Sequence, residues 1–241
     1  YLNYENLFAD ESTPIDFTIS PDLIASSYIK KLIKYQGTRQ VFNFSDDDDC
    51  FINIVFKEKN NEENSIRYFQ ESCEKFNAKI CAFIRKDKLY SIEDGDIIEN
   101  NDELLLICKE ENIEDIMKLF GRSKNNKRIM IAGGGNIGRH LSENISEDYQ
   151  VKVIESNEER AEFLSEVIDD VTIINADSSN EDILLEENIE HMDVFCALTN
   201  DDEANILSAM LAKKLGSKTV ISIINKISYS DPVSYTHLRA H

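Results

Sequence analysis

In the C-terminal half, apolar residues come in short, near-continuous runs at 128–132, 150–154, 171–175, 194–198 and 219–224. Between them, 137–145, 158–167, 179–187 and 202–215 show helical periodicity. Runs this short and apolar suit strands covered on both faces. Their strict alternation with helices predicts an α/β fold, a doubly wound parallel sheet with right-handed crossovers over 127–231. The N-terminal half has another rhythm. Strands are predicted at 41–44, 51–57, 78–85, 97–98 and 103–108, the last two flanking a turn at 99–102. Helices are predicted at 65–76 and 114–120, the second capped by Gly121. Residues 38–121 thus form a small α+β unit, and the polar, basic 122–126 a linker. Upstream, 1–10 is polar with scattered aromatics, helical or frayed, and 15–20 alternates as a half-buried strand does. Ser20-Pro21-Asp22 then opens a helix over 22–35, with Leu23, Ile24, Ile29, Leu32 and Ile33 as its apolar face and Gly37 as its stop.

The junction of the first strand and helix of the parallel unit carries the chemistry. Gly133, Gly135 and Gly138 fit G-x-G-x-x-G directly after a strand, and Glu155 closes the next strand. That context gives an otherwise weak motif its meaning. Gly133 permits the turn, Gly135 the close approach of a pyrophosphate, and Gly138 the packing of helix on strand. The helix amides then face an anion. Glu155 would accept hydrogen bonds from ribose hydroxyls and repel a 2′-phosphate, favouring NAD(H) or ATP/ADP over NADP(H). The bland alternative is a glycine turn without a ligand. A methyltransferase loop would want an acid two residues before the first glycine, where Ile131 stands.

Composition narrows the partners. With 46 acidic and 26 basic residues among 241, the net charge is −20, which argues against nucleic acid or anionic lipid as partners. The acidic run at 46–49 reads as a solvated loop, with a hard-cation site as the sharper alternative. The five cysteines form no C-x-x-C pair, so neither a zinc site nor a disulfide framework is expected, and a reducing cytosol fits. No apolar run approaches the length of a membrane span. Arg139 reads as a surface salt bridge, Arg160 as an intramolecular ion pair, His140 and His191 as ordinary surface or packing residues, and Cys196 as core. Asp202 and Glu203 suit a helix start. The chain opens on Tyr1, and 232–241 continues no upstream pattern; that tail reads as non-native, akin to translated adaptor sequence, and carries no expected function.

Beyond the glycine loop, residues 127–230 carry Glu155 with Glu159-Arg160, Ala176-Asp177-Ser178, His191-Met192-Asp193, and Thr199-Asn200-Asp201-Asp202-Glu203 followed by Asn205. Leu211-Ala212-Lys213-Lys214-Leu215-Gly216 then leads into the fifth strand. This combination resembles the nucleotide-binding RCK/KTN lobe of potassium transport regulators. Residues 38–121, with Phe83-Ile84-Arg85 and the hairpin from Gly95-Asp96 to Asp102, look like the small TrkA-C (RCK-C) lobe of that family. Residues 1–37 look like the last strand and crossover helix of a preceding lobe. The order is similar to the tandem, TrkA-type cytosolic subunits of Trk potassium uptake, of which the chain would be a middle fragment.

The resemblance implies a regulatory module, not an enzyme. Gly133, Gly135, Asn136, Ile137 and Gly138 would hold phosphates, and Glu155 the ribose. Asp177 and Ser178 would lie by the adenine, and Thr199, Asn200 and Asp201 along the distal half of the ligand. Ala176 stands where the family often has glycine. The implied cofactor is NAD(H) or ATP/ADP, with no metal. The implied partner is a membrane potassium transporter, reached from the cytoplasmic face through a ring of RCK lobes in a homo-oligomer, without membrane insertion. Two alternatives compete: an NAD-dependent dehydrogenase, which would need a substrate domain and a proton donor, and the cytosolic KTN domain of a potassium efflux system.

Overall fold

A computed structural model gives the fold; it describes residues 19–44, 48–57, 64–93, 95–121 and 127–225. The expected helix at 1–10, strand residues 15–18, acidic residues 46–47, linker 122–126 and tail 232–241 lie outside the described residues.

The element order is α1 (Pro21–Lys34), β1 (Thr38–Asn43), β2 (Asp49–Val55), α2 (Ile66–Glu74), β3 (Lys79–Arg85), β4 (Lys88–Ser91), β5 (Glu103–Lys109) and α3 (Ile113–Leu119). There follow β6 (Arg128–Ala132), α4 (Asn136–Ile145), β7 (Gln150–Glu155), α5 (Glu158–Val167), β8 (Val171–Asn175), α6 (Glu181–Glu186), β9 (Val194–Ala197), α7 (Asp202–Lys214) and β10 (Thr219–Ser222). Two five-stranded sheets result, ordered β1-β2-β5-β3-β4 and β10-β9-β6-β7-β8.

The first sheet is antiparallel throughout. Cys50, Ile52 and Ile54 lie on one face of β2 and share a core with Leu104, Leu106 and Cys108 of β5. Phe69 and Cys73 of α2 and Ile113 and Ile116 of α3 close that core. The strand expected at 97–98 is reduced to a single bridge between Ile97 and Ser65. A strand that was not expected, β4, pairs with β3 and is joined to it through Lys86 (φ 49°) and Asp87 (φ 62°). Two successive positive φ angles are the geometry of a tight hairpin turn. All four β4 residues are exposed, so no alternation marked them in the sequence. The turn at Glu99–Asp102 does form: Asp102 N donates to Glu99 O, and the buried Asp102 carboxylate receives Arg85.

The second sheet is parallel, with β6 central. The chain runs outward from β6 to β7 and β8, then returns to the other side of β6 as β9 and β10. One face packs Ile129, Ile131, Val153 and Cys196 against Leu141 of α4 and Leu164 of α5. The other packs Met130, Ile154 and Phe195 with Leu184 of α6 and Ala209 and Ala212 of α7. Cys196 is wholly buried, and burial pushes its thiol up to about 12, which makes it an inert packing group.

α1 opens as expected at Ser20, with Pro21 in its first turn, but its buried face is Ser26, Ile29 and Ile33. Leu23 and Ile24, expected on that face, are exposed, at 50% and 60%. α6 starts two residues later than expected. The Asp177 carboxylate takes the Ser179 amide at 2.8 Å, and Asn180 caps the helix instead.

Candidate functional site

Ligands in such sheets sit outside the carboxyl ends of the strands, where the strand order reverses. Here that point lies between β6 and β9. β6 runs into Gly133, whose amide extends the ladder to Ile154 O at 2.8 Å. Gly133 has φ +105°, and a Cβ there would lie 2.9 Å from the backbone of Leu198 and Thr199. Gly138 faces inward, where a Cβ would stand 2.0 Å from Gly133 O. At Gly134 a Cβ would meet the Leu164 side chain, 2.3 Å from its Cδ1, a contact that a side-chain shift can relieve. Gly135 is the exception: a Cβ there meets nothing within 4 Å. Its open side faces a cleft of about 500 Å³, the size of small-molecule sites. The first amides of α4 have no partner within their own helix, which leaves them able to take an anion.

Glu155 closes β7 and is fixed from two sides. Its Oε2 accepts from Gly134 N at 2.7 Å and its Oε1 from Asn157 N at 2.8 Å. Each carboxylate oxygen can accept more than once, so acceptor capacity remains towards the cleft. Arg160, expected in an ion pair, instead donates through Nε to Gly134 O at 2.8 Å and lies over the Phe163 ring. It lines the cleft and was not among the expected site residues. Nothing in the spacing of 159–160 distinguishes this contact from an ordinary helical ion pair.

On the far wall, Asp177 accepts from the amide and hydroxyl of Ser179, which hold its carboxyl below the usual range. Thr199 is clamped by Asn205, a fully buried residue. Asn205 Oδ1 accepts from Thr199 N at 2.9 Å and from Thr199 Oγ1 at 2.7 Å, while Nδ2 donates to Thr199 O and Ile223 O. Asp201 caps α7 by accepting from Ala204 N at 2.9 Å. Asp202 turns away and accepts from Asn225 N and Nδ2, tying α7 to the segment after β10.

Eight of the eleven expected residues line one cleft: Gly133, Gly135, Glu155, Asp177, Ser178, Thr199, Asn200 and Asp201. Asn136, Ile137 and Gly138 do not. Gly138 is buried under the loop and Ile137 packs on the core, while the Asn136 side chain reaches Asp22 of α1. Any contribution these three make to anion binding is through backbone amides alone. Arg139 pairs with Glu143 one turn on. Among the described residues no cluster of histidine, cysteine and acidic groups could hold a metal, and no helix is long and apolar enough to cross a membrane.

Sheet order, glycine loop and closing acid define a Rossmann-type lobe. Residues 129–237 match the TrkA-N domain family. The chain is 34% identical over 235 residues to the Trk system potassium uptake protein TrkA of Halomonas elongata, covering 97% of this chain and 51% of that protein. It is 36% identical over 231 residues to its namesake in Vibrio alginolyticus, covering 95% and 50%. The chain is thus similar to the TrkA proteins along nearly its whole length and spans about half of theirs. The GsuK channel shares the fold at 14% identity and a TM-score of 0.53, over 83% of this chain and 40% of that one. The GsuK channel bound to NAD gives 0.51, over 85% and 40%.

Proposed function

We propose that the chain is part of a regulatory subunit of potassium uptake that binds an adenine nucleotide, NAD(H) or ATP/ADP, in the cleft beside Gly135. One observation carries this reading: of the two glycines that line the cleft, Gly135 is the one where a side chain would have open space, beside the start of α4 and Glu155. Gly133 and Gly138 are explained by backbone packing; Gly135 is not, and a ligand approaching the backbone accounts for it. When bound, the nucleotide supplies free energy only through its different affinities for two conformations of the lobe. The TrkA relatives favour a membrane potassium transporter as the partner that reads this change, and a cytoplasmic site beneath it. Residues 38–121 act as the RCK-C lobe and 127–231 as a second RCK-N lobe, with 1–37 ending a preceding one. Assembly runs through these lobes into a homo-oligomeric ring.

The reading as a sensor rather than a dehydrogenase rests on the TrkA relatives; among the described residues that line the cleft there is no histidine, lysine or cysteine. Thermal shift with NAD, NADH, NADP, ATP and ADP tests the proposal. A nucleotide present at about 100 times its dissociation constant adds about 2.7 kcal/mol of stability. A folded chain that none of the five stabilises would make this lobe a purely structural element.

A further inference from the structure

The glycine loop touches an element from outside its own lobe. α1 precedes the antiparallel sheet in the chain, yet it packs along α4 of the parallel lobe. Ile29 and Ile33 are buried in the core that contains Ile129 and Leu141. Lys30 Nζ donates to Asn144 O at 2.8 Å near the end of α4. At the opposite end, Asn136 Nδ2 donates to Asp22 Oδ2 at 3.0 Å. Asn136 is the first residue of α4, so the Asp22 carboxylate lies beside the turn whose amides face the cleft. The other end of α1 belongs to the antiparallel lobe. Tyr35 is buried in that lobe's core, Tyr28 stacks on Phe42 with centroids 5.7 Å apart, and Lys34 pairs with Glu114.

We propose that Asp22 is a charge sensor for the occupancy of the cleft, and that it sets which nucleotides the cleft accepts. This rests on the nucleotide reading given above. A phosphate at the start of α4 brings negative charge towards the Asp22 carboxylate, and like charges repel. Ligand and docked Asp22 therefore oppose each other. Coupling is reciprocal: by whatever factor Asp22 weakens the ligand, the ligand weakens the hold of α4 on the first turns of α1. The penalty grows with phosphate charge, so Asp22 biases the cleft towards a dinucleotide and against ADP or ATP. α1 is the route by which this reaches the antiparallel lobe, since it is anchored in both cores. Asp22 also has an ordinary role as an acid in the first turn of its own helix. That role affects stability, and it has no bearing on ligand affinity.

The test compares the chain with Asp22→Asn and Asp22→Ala. Calorimetric titration with NADH and ADP is combined with hydrogen exchange of the α1 amides from Ile24 onward. Asp22→Asn is expected to tighten ADP by about three- to tenfold, the scale of one partly screened charge, and NADH by less. The gain shrinks as salt is raised. In the unmodified chain, ligand accelerates exchange in α1; in Asp22→Asn it does not. Asp22→Ala follows Asp22→Asn in affinity whatever its melting temperature, because charge, not packing, is removed in both. Unchanged or weaker binding by both variants, or α1 exchange indifferent to ligand, overturns the inference while leaving the nucleotide reading intact. A folded chain that binds neither ligand overturns both.

Discussion

Gly138 and Gly135 belong to one motif and answer to different forces. A methyl group at Gly138 meets the Gly133 carbonyl at 2.0 Å, and neither backbone can yield. Gly138→Ala is expected to cost about 3 kcal/mol in urea unfolding, the upper range for an overpacked site. Gly135→Ala, with open space and φ −62°, should change stability by less than about 1 kcal/mol yet weaken nucleotide binding. Equal stability losses would mean that the loop is a packing device only. The spacing of the glycines and Glu155 was legible in the sequence because the motif prescribes both. Gly134 was not, since the motif admits any residue there; its constraint comes from Leu164, brought near only by the fold. The same holds for Asn205. It sits one turn into a helix as any polar residue might be placed, and its clamp on Thr199 exists only once β9 and α7 meet.

Elements are held at their ends by single side chains as much as by ladders. Asp193 precedes β9 and accepts from Lys127 N at 2.8 Å and Arg128 N at 3.1 Å, while Lys218 donates from the other side. It thereby fixes the starts of β6 and β10 around β9. Burial alone would raise its carboxyl, but the Lys218 ammonium and the two amides outweigh it and hold the group below the usual carboxylate range. A depressed folded value means that its stabilisation is fully present above the unfolded value, about pH 4, and is lost as pH falls through the folded one. Asp193→Asn should therefore lower stability at neutral pH and flatten its decline in acid, read by urea unfolding across pH. Parallel curves for the two proteins would refute this. The parallel strands were legible because burial on both faces makes them continuous apolar runs. β4 was not, because a fully exposed edge strand leaves no period to read.

The two sheets share α1, and this is the largest feature the sequence concealed. Amphipathicity marks a helix, yet it does not say which core receives it. Leu23 and Ile24 face solvent while Ser26 is buried. Ile33 is 1% exposed and sits in the core of the lobe that follows nearly a hundred residues later. Ile33→Ala is expected to cost about 2–5 kcal/mol. Proteolysis of that variant should expose both lobes' boundaries with α1; a loss confined to the antiparallel lobe would contradict the shared anchoring. The net charge of −20 leaves the cleft's few local donors, α4 amides and Arg160, as the features that attract an anion. The measurement that tests the account most directly is calorimetric titration of the chain with NADH, beside Glu155→Gln and NADP(H). Glu155→Gln keeps the shape and removes the charge. NADH is expected at one site per chain, bound at least tenfold more weakly by Glu155→Gln, with discrimination against NADP(H) reduced. A folded chain that binds NADH and NADP(H) alike, or a Glu155→Gln variant indistinguishable from it, would contradict the placement of the nucleotide in this cleft.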